Sequence, residues 1–458
     1  MNIKDVTLNI KHSSKVPPKG DLGGCLSPPL EGEAGRGLSR IFDSFQYRNF
    51  RLYFIGQCLS QIGTWMQQIA MGWLIYSLTG DVLMLGTVMF LTQIPMMFLT
   101  PFLSTLVDRF NKRSILLIEQ SCAMCLAATL AILFFTGDIQ IWHIMVLSVC
   151  SGCINAIDMP TRQAFYITLV PPEKLSNAIA LNSAIINSAR LLGPALGGLL
   201  IPIISEGGCF LLNAVSYVCV LIALAKIDYA HVVQSNKKFS IFSDFKEGVS
   251  YISHSVPIRT LLITVSIFSF CVFTFTTFVP AYIKDILGGD SRYLGFFMSC
   301  FGIGSFSAAM FLAARKSVLG LGKVVTICML MSSIVVIPLF HVHIIWVALI
   351  FAVFLGFGLI GTVASCNTLI QTILTPSMRG RVMGYYSMGF LGSGALGSLW
   401  WGWVSKFTSL PIAMGISGGI CIVVAVVFAR SLPKIRKHAR PIYVEKGIIP
   451  EIAEGIRE

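Results

Sequence analysis

Arg190 is the only charge between Leu181 and Pro202, within a run long enough to cross a bilayer. A charge at that depth costs roughly 2.5–3.5 kcal/mol on insertion scales, so it is aimed at a partner or a water-filled path rather than at lipid. Gly193, Pro194, Gly197 and Gly198 follow it in the same run. The glycines allow close approach to another backbone, and Pro194 bends the helix. These residue types make no bonds. They present a cation to a cavity, on a helix able to shift against its neighbour.

Two carboxyls lie below the membrane surface, Asp158 and Glu119. A carboxyl that is neutral or charged depending on which side is open can couple proton movement to a conformational change. Asp158 has Arg162 and Arg190 as alternative ion-pair partners, whereas Glu119 lies a turn or two inside its run, near a basic loop. Polar stripes accompany them at helical spacing: Gln57, Gln61, Thr64 and Gln68; Asn155, Asp158 and Arg162; Ser183, Asn187 and Arg190; Asn367 and Gln371. Buried amides can simply join helices. Four stripes in one bundle predict a hydrated path, with Gln57, Gln61, Gln68, Asn155, Asn187, Asn367 and Gln371 on its walls. Trp65, Met66, Phe90 and Met97 are candidates for an apolar wall.

The elements that must position these residues are membrane helices. The chain has 458 residues, 55% hydrophobic and only 12% charged, with a mean hydropathy of +0.77, whereas soluble domains carry about 25% charge. Twelve apolar runs of spanning length occur, from Leu52–Leu78 to Pro411–Phe428. The net charge of +13 follows topology rather than nucleic acid. Of 34 Lys and Arg, Lys284, Arg292 and Lys406 fall in loops on one side, Arg190 is intramembrane, and the other 30 flank the opposite side. That asymmetry places both termini in the cytoplasm. The expected organisation is a polar tail over 1–45, a six-helix bundle over 46–228, a linker with an amphipathic helix over 229–257, a second six-helix bundle over 258–432 and a tail over 433–458. Thr168–Ala178 lies over Thr372–Val382 at an offset of 204, which also places Gly193 on Gly397. The expectation is therefore an all-α membrane protein of two pseudo-symmetric bundles with the site between them.

Ser104-Thr-Leu-Val-Asp108-Arg109-Phe-Asn-Lys112-Arg113 resembles the loop between helices two and three of the major facilitator superfamily, with Ser104 in place of its usual glycine. The resemblance implies that Asp108, Arg109, Lys112 and Arg113 gate the cytoplasmic side. Gly193-Pro194-Ala-Leu-Gly197-Gly198 resembles that superfamily's helix-five antiporter motif, with Arg190 just before it. Asn49–Gln57, Ile62–Gln67, Pro160–Phe165 and Leu175–Ser183 are similar to the enterobactin-exporter-like, or transmembrane secretion effector, group. This implies twelve helices in the major facilitator fold, a bacterial inner-membrane location and outward transport, with proton exchange, of a siderophore-like or drug-like molecule. A nutrient importer of the same superfamily is the alternative within transport. A receptor or a membrane enzyme is the alternative outside it.

Other motifs carry no chemistry here. Gly356–Gly361 and Gly392–Gly397 fit a dinucleotide-binding pattern but lie in apolar runs without a preceding strand. Cys122–Cys125 and Cys150–Cys153 also lie within spans, where thiols act as small hydrophobes. No metal site, no cofactor and no enzymatic activity are expected, and the partners are a small-molecule substrate and the lipid bilayer, with the chain acting as a monomer.

Overall fold

The computed structural model describes residues 43–107, 110–229, 241–315, 317–375 and 378–449. The tail before residue 43, the gate residues Asp108 and Arg109, and Pro376 of the repeat lie outside these ranges.

The first half consists of α1 (Arg48–Thr79), α2 (Val82–Val107), α3 (Lys112–Thr136), α4 (Ile141–Tyr166) and α5 (Leu175–Lys226). The helix ends have local causes. Gly80 and Gly137 stop α1 and α3 in the left-handed conformation, and the Asn111 side chain accepts from the amides of Arg113 and Ser114 to start α3. Helix α5 bends at Ser205, whose φ is 64°, and so forms two limbs. The first limb runs parallel to α1, with Gly193 against Ile62 and Trp65 and Gly197 against Met66 and Ile69. The second runs antiparallel, with Ser216 near Gly63 and Val220 near Gly56. The limbs are the fifth and sixth crossings.

A linker helix, α6 (Ile241–His254), leads into the second half. There the seventh crossing is α7 (Val256–Phe268) continued through a π turn into α8 (Phe275–Ala281). Next come α9 (Ser291–Ala313), α10 (Leu321–Leu339) and α11 (Ile345–Ile373). The eleventh crossing is α12 (Arg379–Ser387) and α13 (Ser393–Phe407), joined by a second π turn, and the last is α14 (Leu410–Glu445). Among the described residues nine segments are long and apolar enough to span on length and composition alone. The other three crossings are α1, which its glutamines dilute, the second limb of α5, and the interrupted α12–α13. The second bundle also ends later than expected. Helix α14 continues past residue 432 to Glu445 because Leu432, Ile435, Ala439 and Tyr443 keep one apolar face packed, and Lys446 then donates to the Thr372 and Leu374 carbonyls at 2.6 and 2.7 Å.

The 204-residue offset is a real symmetry of packing. Gly193 lies against α1, and Gly397 lies against Phe270 and Thr274 of the seventh crossing. Gly198 meets the Gly295 backbone of α9, and Gly402 meets Leu83 of α2. The halves therefore touch along two equivalent crossings, fifth on eighth and eleventh on second. One apolar cluster joins them, including Met66, Tyr76, Leu85, Phe278, Leu294 and Trp401. Toward the face rich in Lys and Arg it gives way to two separate clusters, one around Tyr53, Leu116 and Phe165 and one around Ile258, Leu369 and Phe428. The bundle is thus closed at one end and parted at the basic end.

Candidate transport site

Within the first half, three helices bring a charged cluster together at the basic end. Glu119 and Asp158 stand about 10–12 Å in from the nearest ends of α3 and α4, at 1.5 Å per residue. Asp158 pairs with Arg162 one turn along α4. The Gln120 Nε2 donates to Glu119 Oε1 at 2.9 Å and to Asp158 Oδ1 at 3.3 Å, and Arg162 donates to Gln57 Oε1 at 3.5 Å. Glu119, Gln120 and Asp158 are only 4–6% exposed. Glu119 Oε2, Gln120 Oε1, Gln57 Nε2 and the Tyr53 hydroxyl have no hydrogen-bond partner there. Arg162 pairs with Asp158 and not with Glu119, so full ionisation leaves one negative charge unmatched at membrane depth, and a single proton cancels it. Of the two partners open to Asp158, the structure brings it Arg162 rather than Arg190.

Several expected wall residues have other duties. Gln57 is 1% exposed and belongs to the charged cluster, where it accepts from Arg162 of α4. Met66 is buried in the packing of α1 on α5, and Met97 packs on Gly392. Thr64 bonds Tyr217 at 3.3 Å, a contact between crossings of one bundle. By contrast, Gln68, Asn155 and Gln371 are exposed, and Gln61, Asn187 and Asn367 are partly so. Asn187 donates to the Ser183 carbonyl at 2.9 Å, and Gln371 donates to Asn367, so both pairs stay ordered on their own helices.

The residues expected to gate are divided. Arg113 is engaged within its own half, where it donates through Nε and a terminal nitrogen to the Leu224 and Ala225 carbonyls, both at 2.7 Å. It caps the end of α5, where a cation is favoured by the unpaired carbonyls and the helix dipole. Lys112 is buried at the start of α3, 6% exposed.

At the far end the halves are tied by residues that the sequence did not mark. The Tyr76 hydroxyl donates to Asp285, Lys406 pairs with Asp81 at 2.9 Å, and Lys284 donates to Ser77 at 3.4 Å with its nitrogen 5.9 Å from the Tyr76 ring centroid. Tyr53 and Gln120 were also missed, although Tyr53 lies one turn before Gln57 and Gln120 adjoins Glu119.

On the fifth crossing, a Cβ on Gly198 would overlap the Gly295 backbone, and one on Gly193 would overlap Trp65. These glycines set the close approach of α5 to α9 and α1. Arg190 is partly buried, its Cζ 5.2 Å from the Trp65 ring centroid.

A cleft between two symmetric bundles, closed by polar ties at one end and parted at the other, is the architecture of a carrier. Solved structures share the fold: a nucleoside transporter, NupG, superposes with a TM-score of 0.65 at 14% identity, covering 84% of this chain and 98% of that one. A bacterial homologue of the iron transporter ferroportin gives 0.65 at 16% identity, covering 83% and 98%. Among curated proteins, the staphyloferrin A transporter of Staphylococcus aureus is 24% identical over 59% of this chain and 68% of its own length. The multidrug resistance protein MdtG of Proteus mirabilis is 24% identical over 62% and 70%, and macrolide efflux protein A of Streptococcus pyogenes 20% over 54% and 63%. The family model for transmembrane secretion effectors matches residues 40–445. The chain is a multi-pass membrane transporter rather than an enzyme, and it belongs to the transmembrane secretion effector family of the major facilitator superfamily.

Proposed function

We propose that the protein is a secondary exporter of the bacterial plasma membrane. It takes a small amphipathic molecule from the cytoplasm or inner leaflet and releases it outward in exchange for protons. The excess of Lys and Arg at the parted end supports a cytoplasmic location for that end and for both termini. The described conformation is then open inward and closed outward by Tyr76, Asp285, Asp81 and Lys406. The efflux named for one relative, and the glycine motif of the fifth crossing, support the direction.

The observation that carries proton exchange is Glu119, a buried carboxyl with one oxygen unpartnered beside an already paired Asp158–Arg162. A proton taken up there when the cleft faces one side and lost when it faces the other would drive the cycle, with no resident cofactor. Asp158 has the complementary role of holding Arg162. The test is pH-gradient-driven transport in proteoliposomes of the molecule that the protein exports. Glu119→Gln should abolish accumulation while leaving binding and downhill exchange intact. Full gradient-driven accumulation by this variant would remove Glu119 from the coupling step, and the same outcome with Asp158→Asn would remove Asp158.

A further inference from the structure

The fifth crossing carries a cation, Arg190, at membrane depth. Among the described residues, no carboxylate lies within ion-pair distance of Arg190, and its recorded contact is the face of Trp65. The two acidic groups at membrane depth are engaged inside the first bundle with Arg162 and Gln120. The position of Arg190 on the helix follows from about 100° per residue. Leu192, Leu196, Leu199 and Ile203, 40–74% exposed, mark the lipid side. Gly193 and Gly197 mark the side against α1, and Leu191 and Gly198 the side against α9. Arg190 falls between the α1 and α9 sides and away from lipid. Ser183 and Asn187 continue that strip toward the parted end, where Ser183 and Ala184 are exposed. The strip is a wall of the cleft between the halves.

A guanidinium over an indole keeps its charge and its planar fork of donors, which matches a carboxylate in a two-bond geometry. A cationic molecule in this cleft would meet an unneutralised like charge. An anionic one would supply the missing counterion, on a guanidinium that the Trp65 ring holds in place. We infer that the transported molecule is an organic anion, a carboxylate-bearing amphiphile whose acid group docks on Arg190. This rests on the export reading above and names the chemical class of its cargo.

The experiment deletes the gene in the source strain and restores it as wild type, R190K, R190Q or W65L. Membrane levels and detergent melting temperatures are matched, and medium and cell extracts are compared by mass spectrometry after anion- and cation-exchange separation. The expected result is that the species released only with wild type bind the anion exchanger. Their release should fall about tenfold or more in R190Q, the loss of a charge-assisted bond pair, and less in R190K, which keeps the charge without the fork. W65L should lie between them. Released species that are cationic or neutral would overturn the anion assignment and leave export standing. Undiminished release of an anion by R190Q would overturn the docking role of Arg190. An anion that accumulates in the medium on deletion, and is taken up less by R190Q, would overturn the export direction while upholding the charge of the cargo.

Discussion

Asp158 spends its charge on Arg162, one turn away on the same helix, and leaves Glu119 bonded only to the Gln120 amide. Removing the guanidinium strands two carboxyls in a site that is nearly sealed. Arg162→Ala should therefore destabilise the protein by about 3–5 kcal/mol, the cost of breaking a buried pair from one side. Asp158→Asn added to Arg162→Gln should recover much of that loss. Chemical or thermal unfolding in detergent of the single and double variants checks both statements.

The far-end ties predict a shift in conformational population. Lys406→Asp places like charges opposite each other at Asp81, and Tyr76→Phe deletes a hydroxyl-to-carboxylate bond. The partly exposed Lys406–Asp81 pair contributes about 0.2–1 kcal/mol, whereas the bond to a charged carboxylate contributes about 1.5–3 kcal/mol. Tyr76→Phe should thus open that end more, by roughly tenfold in population, since 1.4 kcal/mol is one decade. Distances between spin labels placed across that end should lengthen in both variants, and the swap Asp81→Lys with Lys406→Asp should restore them.

Glycines at the two equivalent crossings should respond alike, and glycines elsewhere should not. Gly198→Leu and Gly402→Leu each force a side chain between backbones, costing about 1–3 kcal/mol and arresting transport. Gly415, in mid-helix with nothing within 4 Å of an added Cβ, should accept alanine with a gain of about 0.5–1 kcal/mol. Melting temperatures and transport rates of the three variants distinguish crossing from filler.

Arg113→Ala should cost about 1–3 kcal/mol, because two carbonyls at the end of α5 lose their donor, while transport at matched protein levels should persist. Loss of transport from a protein that melts normally would show that Arg113 also acts across the halves.

The amino-acid pattern made much of this legible. Hydropathy counted the crossings, and the 204-residue offset placed Gly193 on Gly397; that the same offset also joins Gly198 to Gly402, and that both pairs lie at helix contacts, came from the structure. What stayed hidden was depth and long-range pairing. Gln57 and Gln61 share a helical face, yet spacing does not say which turn the neighbouring helices cover, so one is buried in the charged cluster and the other lies at a partly open surface. Tyr76 and Asp285 are 209 positions apart, each at an unremarkable helix end. Only the closure of two bundles on one another makes them partners. Likewise Arg113 sits in a gate-like motif but finds its carbonyls on a crossing more than a hundred residues later.

The corner at Ser205 has a mechanical corollary. With one residue turning the chain, there is no slack between the limb that crosses α9 and the limb that packs against α1 and α3. A displacement of either limb is passed to the other, as in a folded steel strip, and from there to the bundle around it. The first limb meets α9 where Gly198 lies on the Gly295 backbone, and at that point neither surface has a side chain to interlock.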